Sequence, residues 1–242
     1  MENTVETGLN RTGLDTAPRS REDMVRFARS ASPQADGGAQ AVDDLRHAYT
    51  VEADRLGSVP LPMRLRGLAT AVTDKLKGHQ AAVLIDKLGE RLAFERTGVR
   101  LYEALEVKVR AARSGVAIDP HTLSRLRDDE ESHFHLLGRC LVSLGADPTA
   151  MTPCADVAGV AAAGHLQVVC DPRTTVAQAL NSVLQVELGD NAGWELLIEL
   201  AQDGGHSDMA QAFTVAQDTE QQHLDLVRSW LRQLVLEEAG SA

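Results

Sequence analysis

Two Glu-x-x-His tetrads constrain this chain more than any other feature. The first is Glu130-Glu131-Ser132-His133. The second, Glu220-Gln221-Gln222-His223, follows 90 positions later in a chain of 242. A carboxylate and an imidazole three residues apart fall on one face of a helix. One tetrad by itself is close to a chance match. A second feature repeats with it. Glu95 follows Phe94 and is itself followed, seven residues on, by Tyr102 and then Glu103. Glu187 follows Val186, with Trp194 and Glu195 at the same spacing. This second offset is 92. Two independent features recurring at nearly one offset predict a duplicated helix pair folded with pseudo-two-fold symmetry.

The apolar pattern agrees with helices at those places. Leu84, Leu88, Leu92, Val99, Leu101 and Leu105 spread around a helix expected over residues 78–113, about 50 Å long. Asp119-Pro120 supplies an N-cap and a first-turn proline for a second helix, which runs to Leu144 and stops at Gly145. Residues 146–173 form a long connection with three prolines and an Ala-rich piece, Ala155 to Ala163, read as a short helix. Thr174-Thr175 opens a third long helix that ends at Asp203-Gly204-Gly205, and a fourth covers Ser207 to about Glu237. Four long helices paired two and two around a crossover between the second and third make an all-α bundle. The remainder is an extension. Residues 1–44 are polar and broken by Ser32-Pro33 and Gly37-Gly38, which predicts disorder apart from a short helix over 21–30. Residues 45–78 read as a helical extension, with Leu65, Leu68 and Val72 at helical spacing.

Composition narrows the function. Net charge is −11, which repels phosphate backbones and argues against nucleic acid. No apolar run of membrane-spanning length stands out, nor an N-terminal charged-then-apolar leader, so the expectation is a cytoplasmic protein without a membrane partner. Cys140, Cys154 and Cys170 form no Cys-x-x-Cys pair, and reduced thiols are expected.

The repeat also has a chemical reason. Two first-row metal ions held close together need about six protein ligands, with carboxylates shared between them. Helix pairs deliver this as one Glu from each of two helices and Glu-x-x-His from each of the other two. Here those are Glu95, Glu130 and His133 from one half, and Glu187, Glu220 and His223 from the other. Four carboxylates and two imidazoles suit iron, with manganese as the alternative. Their four charges match two divalent ions.

On these motifs, residues 79–238 resemble the ferritin-like superfamily, which includes rubrerythrin, bacterioferritin and the ribonucleotide reductase small subunit. The resemblance implies a four-helix bundle whose six ligands are the residues just named, with Glu130 and Glu220 as bridges. Asp129 matches an aspartate that precedes the motif Glu in several oxidases of the superfamily, and is expected to orient a ligand histidine. Thr219 stands at the equivalent place in the second copy. Tyr102 and Trp194 lie two turns beyond the ligand Glu and are expected beside the site, as core packing or as a relay. Asp190, one turn from Glu187, is a further candidate carboxylate. Glu103, Glu195 and the other histidines are expected outside it.

The implied function is a di-iron protein reacting with O2 or H2O2, an oxidase- or peroxidase-type oxidoreductase drawing on a separate reductant. Two alternatives stand beside it: an iron-storage or ferroxidase subunit of a ferritin-type homo-oligomer, and a non-catalytic metal-stabilised bundle. The absence of a Cys-x-x-Cys module excludes a full rubrerythrin with its own rubredoxin iron.

Overall fold

A computed structural model describes residues 18–31, 38–60, 81–112 and 118–240. Among them are seven helices and no strand: α1 Pro18–Ala31, α2 Gly38–Glu52, α3 Ala81–Ala111, α4 Pro120–Ser143, α5 Pro153–Cys170, α6 Val176–Asp203 and α7 Ser207–Gly240. The described residues up to Leu56 belong to one compact unit and those from Gly57 to a second.

In the first unit, α1 and α2 lie within or overlap the stretch whose polar composition predicts disorder. Residues 19–30 and 39–52 are exposed, and local pairs support the helices. Asp23 and Arg26 pair at 3.3 Å one turn apart, and Gln40 donates to Asp44 at 2.9 Å. Such pairs contribute about 0.2–0.5 kcal/mol each. The helical spacing of Leu65, Leu68 and Val72 falls outside the described residues.

The second unit carries the four expected long helices at the expected places. α3 packs on α4, α6 on α7, α3 on α6 and α4 on α7, a set of contacts compatible with a four-helix bundle. The ends are set by local chemistry. Asp119 accepts from the His121 backbone N–H, and Pro120 occupies the first turn of α4. At the other end of α4 the N–H of Gly145 reaches Val142 O at 3.0 Å and that of Ala146 reaches Leu141 O at 2.9 Å. This Schellman closure needs the left-handed backbone that Gly145 adopts, φ 81°. α6 closes the same way: Gly205 bonds Gln202 O, His206 bonds Ala201 O, and φ at Gly205 is 75°. Its start is a capping box between Thr175 and Gln178.

The connection between the pairs is more ordered than its composition suggests. α5 runs the full 18 residues from Pro153 to Cys170, twice the Ala-rich piece. Thr152 caps it, and Asp86 of α3 accepts the Cys154 backbone N–H at 2.9 Å. Ala155, Ala162 and Val169 are its buried residues, and the helix lies on α3 and α6. Gly159 and Gly164, which lower helix propensity, hid this extent. α5 is also the one helix among the described residues long and apolar enough to cross a membrane, with a mean hydropathy of 1.2, where the sequence reading found no such run. It packs on α3 and α6 through Ala155, Ala162 and Val169, while Val157 and Val160 are exposed.

Inside the long helices the core comes in two apolar clusters. One gathers Leu84, Leu88 and Leu92 with Leu137, Leu141, Trp194, Leu197 and Phe213. The other gathers Leu101, Tyr102 and Leu105 with Leu123, Leu126, Leu180, Val183 and Val227. The sequence gaps between them, 93–100 on α3, 127–136 on α4, 187–193 on α6 and 217–226 on α7, hold both tetrads and both paired glutamates.

Candidate metal centre

Each of the six repeat residues turns inward at that gap. Glu95, Glu130, Glu187, Glu220 and His223 are at most 2% exposed and His133 7%. Burying charged groups is costly unless they are paired or hold a metal, so the partners matter.

Glu220 sits between both imidazoles. Its Oε1 lies 2.5 Å from His133 Nδ1 and its Oε2 3.0 Å from His223 Nδ1. His223 Nδ1 also lies 3.3 Å from Glu130 Oε1. His133 Nδ1 faces Glu95 Oε2 at 3.7 Å. Donor atoms therefore group in two sets within 4.8 Å: Glu130, Glu187, Glu220 and His223, and Glu95, His133 and Glu220. Glu220 belongs to both, the position a bridging ligand takes.

The groups approach closely without satisfying one another. Glu95 Oε2, Glu187 Oε2, both Glu220 oxygens and His133 Nδ1 are buried without a hydrogen-bond partner. At 2.5 Å the Glu220–His133 contact is short, yet no ring N–H is aligned with the oxygen. Unsatisfied buried lone pairs converging in one layer are the arrangement a cation satisfies. The residues present fit a metal ion on this ground, and the mixed carboxylate–imidazole set suits a first-row ion such as iron or manganese.

Glu187 and Glu95 are each held at the other oxygen. Tyr102 Oη donates to Glu187 Oε1 at 2.5 Å, and Arg91 donates to Glu95 Oε1 at 2.8 Å. Arg91 also meets Asp190 of α6. A third grouping, of the four carboxylates Glu95, Glu130, Asp190 and Glu220, lies within the same 4.8 Å. Behind His223, Nε2 contacts Asp129 Oδ2 at 3.3 Å, the orienting contact expected of Asp129. The aromatic pair is symmetric across the halves. Tyr102 stands edge-on to His223 at 6.0 Å and Trp194 edge-on to His133 at 5.4 Å. Glu103, Glu195, His121 and His135 are exposed, outside the cluster as expected.

The environment sets the protons. Burial, together with Glu220, pushes Glu130 up to about 8 and Glu187 up to about 8. Burial also holds Glu95 well above the carboxylate range, with Arg91 opposing. Glu220 goes the other way: burial raises it, but the two imidazoles beside it bring it down to about 2. Burial lowers His223, yet its contacts with Asp129, Glu130 and Glu220 outweigh that and carry it up to about 12. Burial thus favours the neutral forms of Glu95, Glu130 and Glu187, while the contacts between them favour the charged forms of Glu220 and His223. Tyr102, raised by burial and then by Glu187, keeps its phenol proton.

Four contributors escaped the sequence reading: Arg91, Gly98, Gly193 and Asn191. A Cβ on Gly98 would collide with the Glu130 carboxylate, and one on Gly193 with the Arg91 guanidinium. Asn191 donates to the carbonyls of Glu187 at 3.0 Å and Glu220 at 3.2 Å, tying α6 to α7 at the level of the cluster. Arg91 lies one turn before Glu95 and Gly98 one turn after it, which was the available signal.

Comparison with family models, with curated proteins and with solved structures gave no match. What stands is a chain whose described elements are all helices, with a buried carboxylate–histidine cluster able to hold a metal ion.

Proposed function

We propose that this chain is a di-iron carboxylate protein of the ferritin-like superfamily that reacts with dioxygen or hydrogen peroxide, as an oxidase- or peroxidase-type oxidoreductase. The observation that carries the reading is the pair of donor sets sharing Glu220, with their lone pairs left unsatisfied. Glu95 with His133, and Glu187 with His223, serve as the terminal ligands of two positions, and Glu130 and Glu220 lie between. Two bound iron ions would supply electrons to an O–O bond.

The chain's own residues perform the rest. Tyr102 directs a proton at Glu187 Oε1 and fixes that carboxylate's rotamer. Asp129 fixes the His223 ring through Nε2 and leaves Nδ1 to face the cluster. Trp194, Phe213 and the leucines on either side exclude water from the layer. Protons held on Glu130 and Glu187 leave when cations enter, because ligands bind deprotonated.

The test is to load the metal-free protein with Fe(II) without oxygen, then mix rapidly with O2 or H2O2 and follow Fe(II) loss. Oxidation far faster than for free Fe(II), absent in Glu220→Gln, is the expected result. Oxidation at the buffer rate overturns the reading. Mineral formation inside a large hollow oligomer would transfer it to iron storage.

A further inference from the structure

The two halves of the cluster look alike in sequence, but a buried cation touches only one of the two glutamates Glu95 and Glu187. Resting on the di-metal reading above, we propose that Arg91, clamped by Asp190, weakens the Glu95–His133 position, so that the Glu187–His223 position fills first. Arg91 is 5% exposed, and its guanidinium is always charged. It donates to Glu95 Oε1 at 2.8 Å, while the matching donor to Glu187 is the neutral phenol of Tyr102. Val183 stands at the place in α6 equivalent to Arg91, so the repeat does not copy the cation.

A cation on Glu95 withdraws its negative charge from a ligand role and repels an incoming metal ion. Asp190 meets the guanidinium from α6, Phe94 lies 4.1 Å beneath it, and Gly193 leaves the space it occupies. Arg91 is therefore fixed in place and cannot swing away when metal arrives. The opposite bias acts on the other half. Asp129 backs His223 at Nε2, which makes that imidazole the stronger donor. Thr219, at the equivalent position, turns its hydroxyl to Val215 O at 3.2 Å and gives His133 no such support. A fixed cation against one terminal ligand and a carboxylate behind the other both favour the Glu187–His223 position.

The test is a calorimetric titration of the full-length, metal-free protein with Mn2+ in the absence of oxygen. Wild type is expected to bind two ions in two phases, their affinities separated by about tenfold or more, the range over which such outer contacts act. Glu95→Gln should remove the weaker phase and leave the tighter, and Glu187→Gln the reverse. Replacing Arg91 alone would strand Asp190, so the clamp is removed as a pair in Arg91→Met/Asp190→Asn, with helix content checked by circular dichroism. That variant should strengthen the weaker phase and narrow the gap. Coincident phases in wild type, loss of the tighter phase in Glu95→Gln, or an unchanged gap in the pair variant overturns the proposal and leaves the di-metal reading intact. Fewer than two ions bound by wild type overturns both.

Discussion

The apolar clusters and the polar layer between them are built by the same four helices on opposite principles. Leu88, Leu105, Leu123 and Phe213 are fully buried within the apolar clusters. Their contribution is unconditional, because burial of hydrocarbon stabilises whatever else is bound. Seven residues along from Leu88, Leu123 and Phe213, the carboxylates Glu95, Glu130 and Glu220 are buried as deeply, as is Glu187 on α6, and Glu95, Glu187 and Glu220 leave oxygens unpaired. Their contribution is conditional. Without a cation the layer costs stability, and with one it becomes a crosslink between four helices. The contrast separates residues that make the fold from residues that the fold pays to keep.

The largest effect that should follow is in the apolar region. Phe213→Ala removes a fully buried ring from the cluster that also holds Trp194. It should cost about 3–5 kcal/mol, read as a lower denaturation midpoint. The loss should be much the same with and without metal, and a loss seen only in the metal-loaded protein would break the distinction between the two regions.

A smaller effect should appear with pH, and only in the polar layer. Glu130 and Glu187 are raised to about 8 from an ordinary 4.5, so the folded metal-free chain holds protons that the unfolded chain has released. Their contribution is complete below about pH 4.5 and is lost as pH rises through about 8. His223, raised from 6.5 to about 12, has the same sign: its contribution is complete below about pH 6.5 and falls progressively as pH rises toward 12. Glu220, lowered to about 2, acts oppositely but only as pH falls toward 2. The metal-free protein should therefore melt at lower temperature at pH 8 than at pH 5.5. Excess Mn2+ should remove that slope or reverse it, since metal competes with the same protons. Thermal melts at the two pH values, with and without Mn2+, sharpen or erase the comparison.

The sequence made the polar layer legible because its residues are repeated and regularly spaced. Glu95, Glu130, His133, Glu187, Glu220 and His223 converge, and Asp129, Tyr102 and Trp194 touch the histidines of the opposite half. Helical period and inter-half symmetry suffice to find them. Arg91 was invisible for the opposite reason: it has no repeat partner, and its role exists only where α3 meets α6. Gly98 and Gly193 act by what they lack, which no residue pattern announces. α5 was read short because its glycines weaken a helix locally, while its length comes from Thr152, Asp86 and the faces of α3 and α6. Periodicity reports faces. It does not report which face meets which.

The central claim is that the six inward residues together hold two metal ions. Elemental analysis of the protein loaded with Fe(II) or Mn2+ without oxygen and freed of excess metal tests it directly, with Glu130→Ala and Glu220→Ala alongside. The account predicts two ions per wild-type chain and substantial loss in both variants, with Glu220→Ala the more severe because Glu220 belongs to both donor sets. Full metal retained by both variants would contradict it.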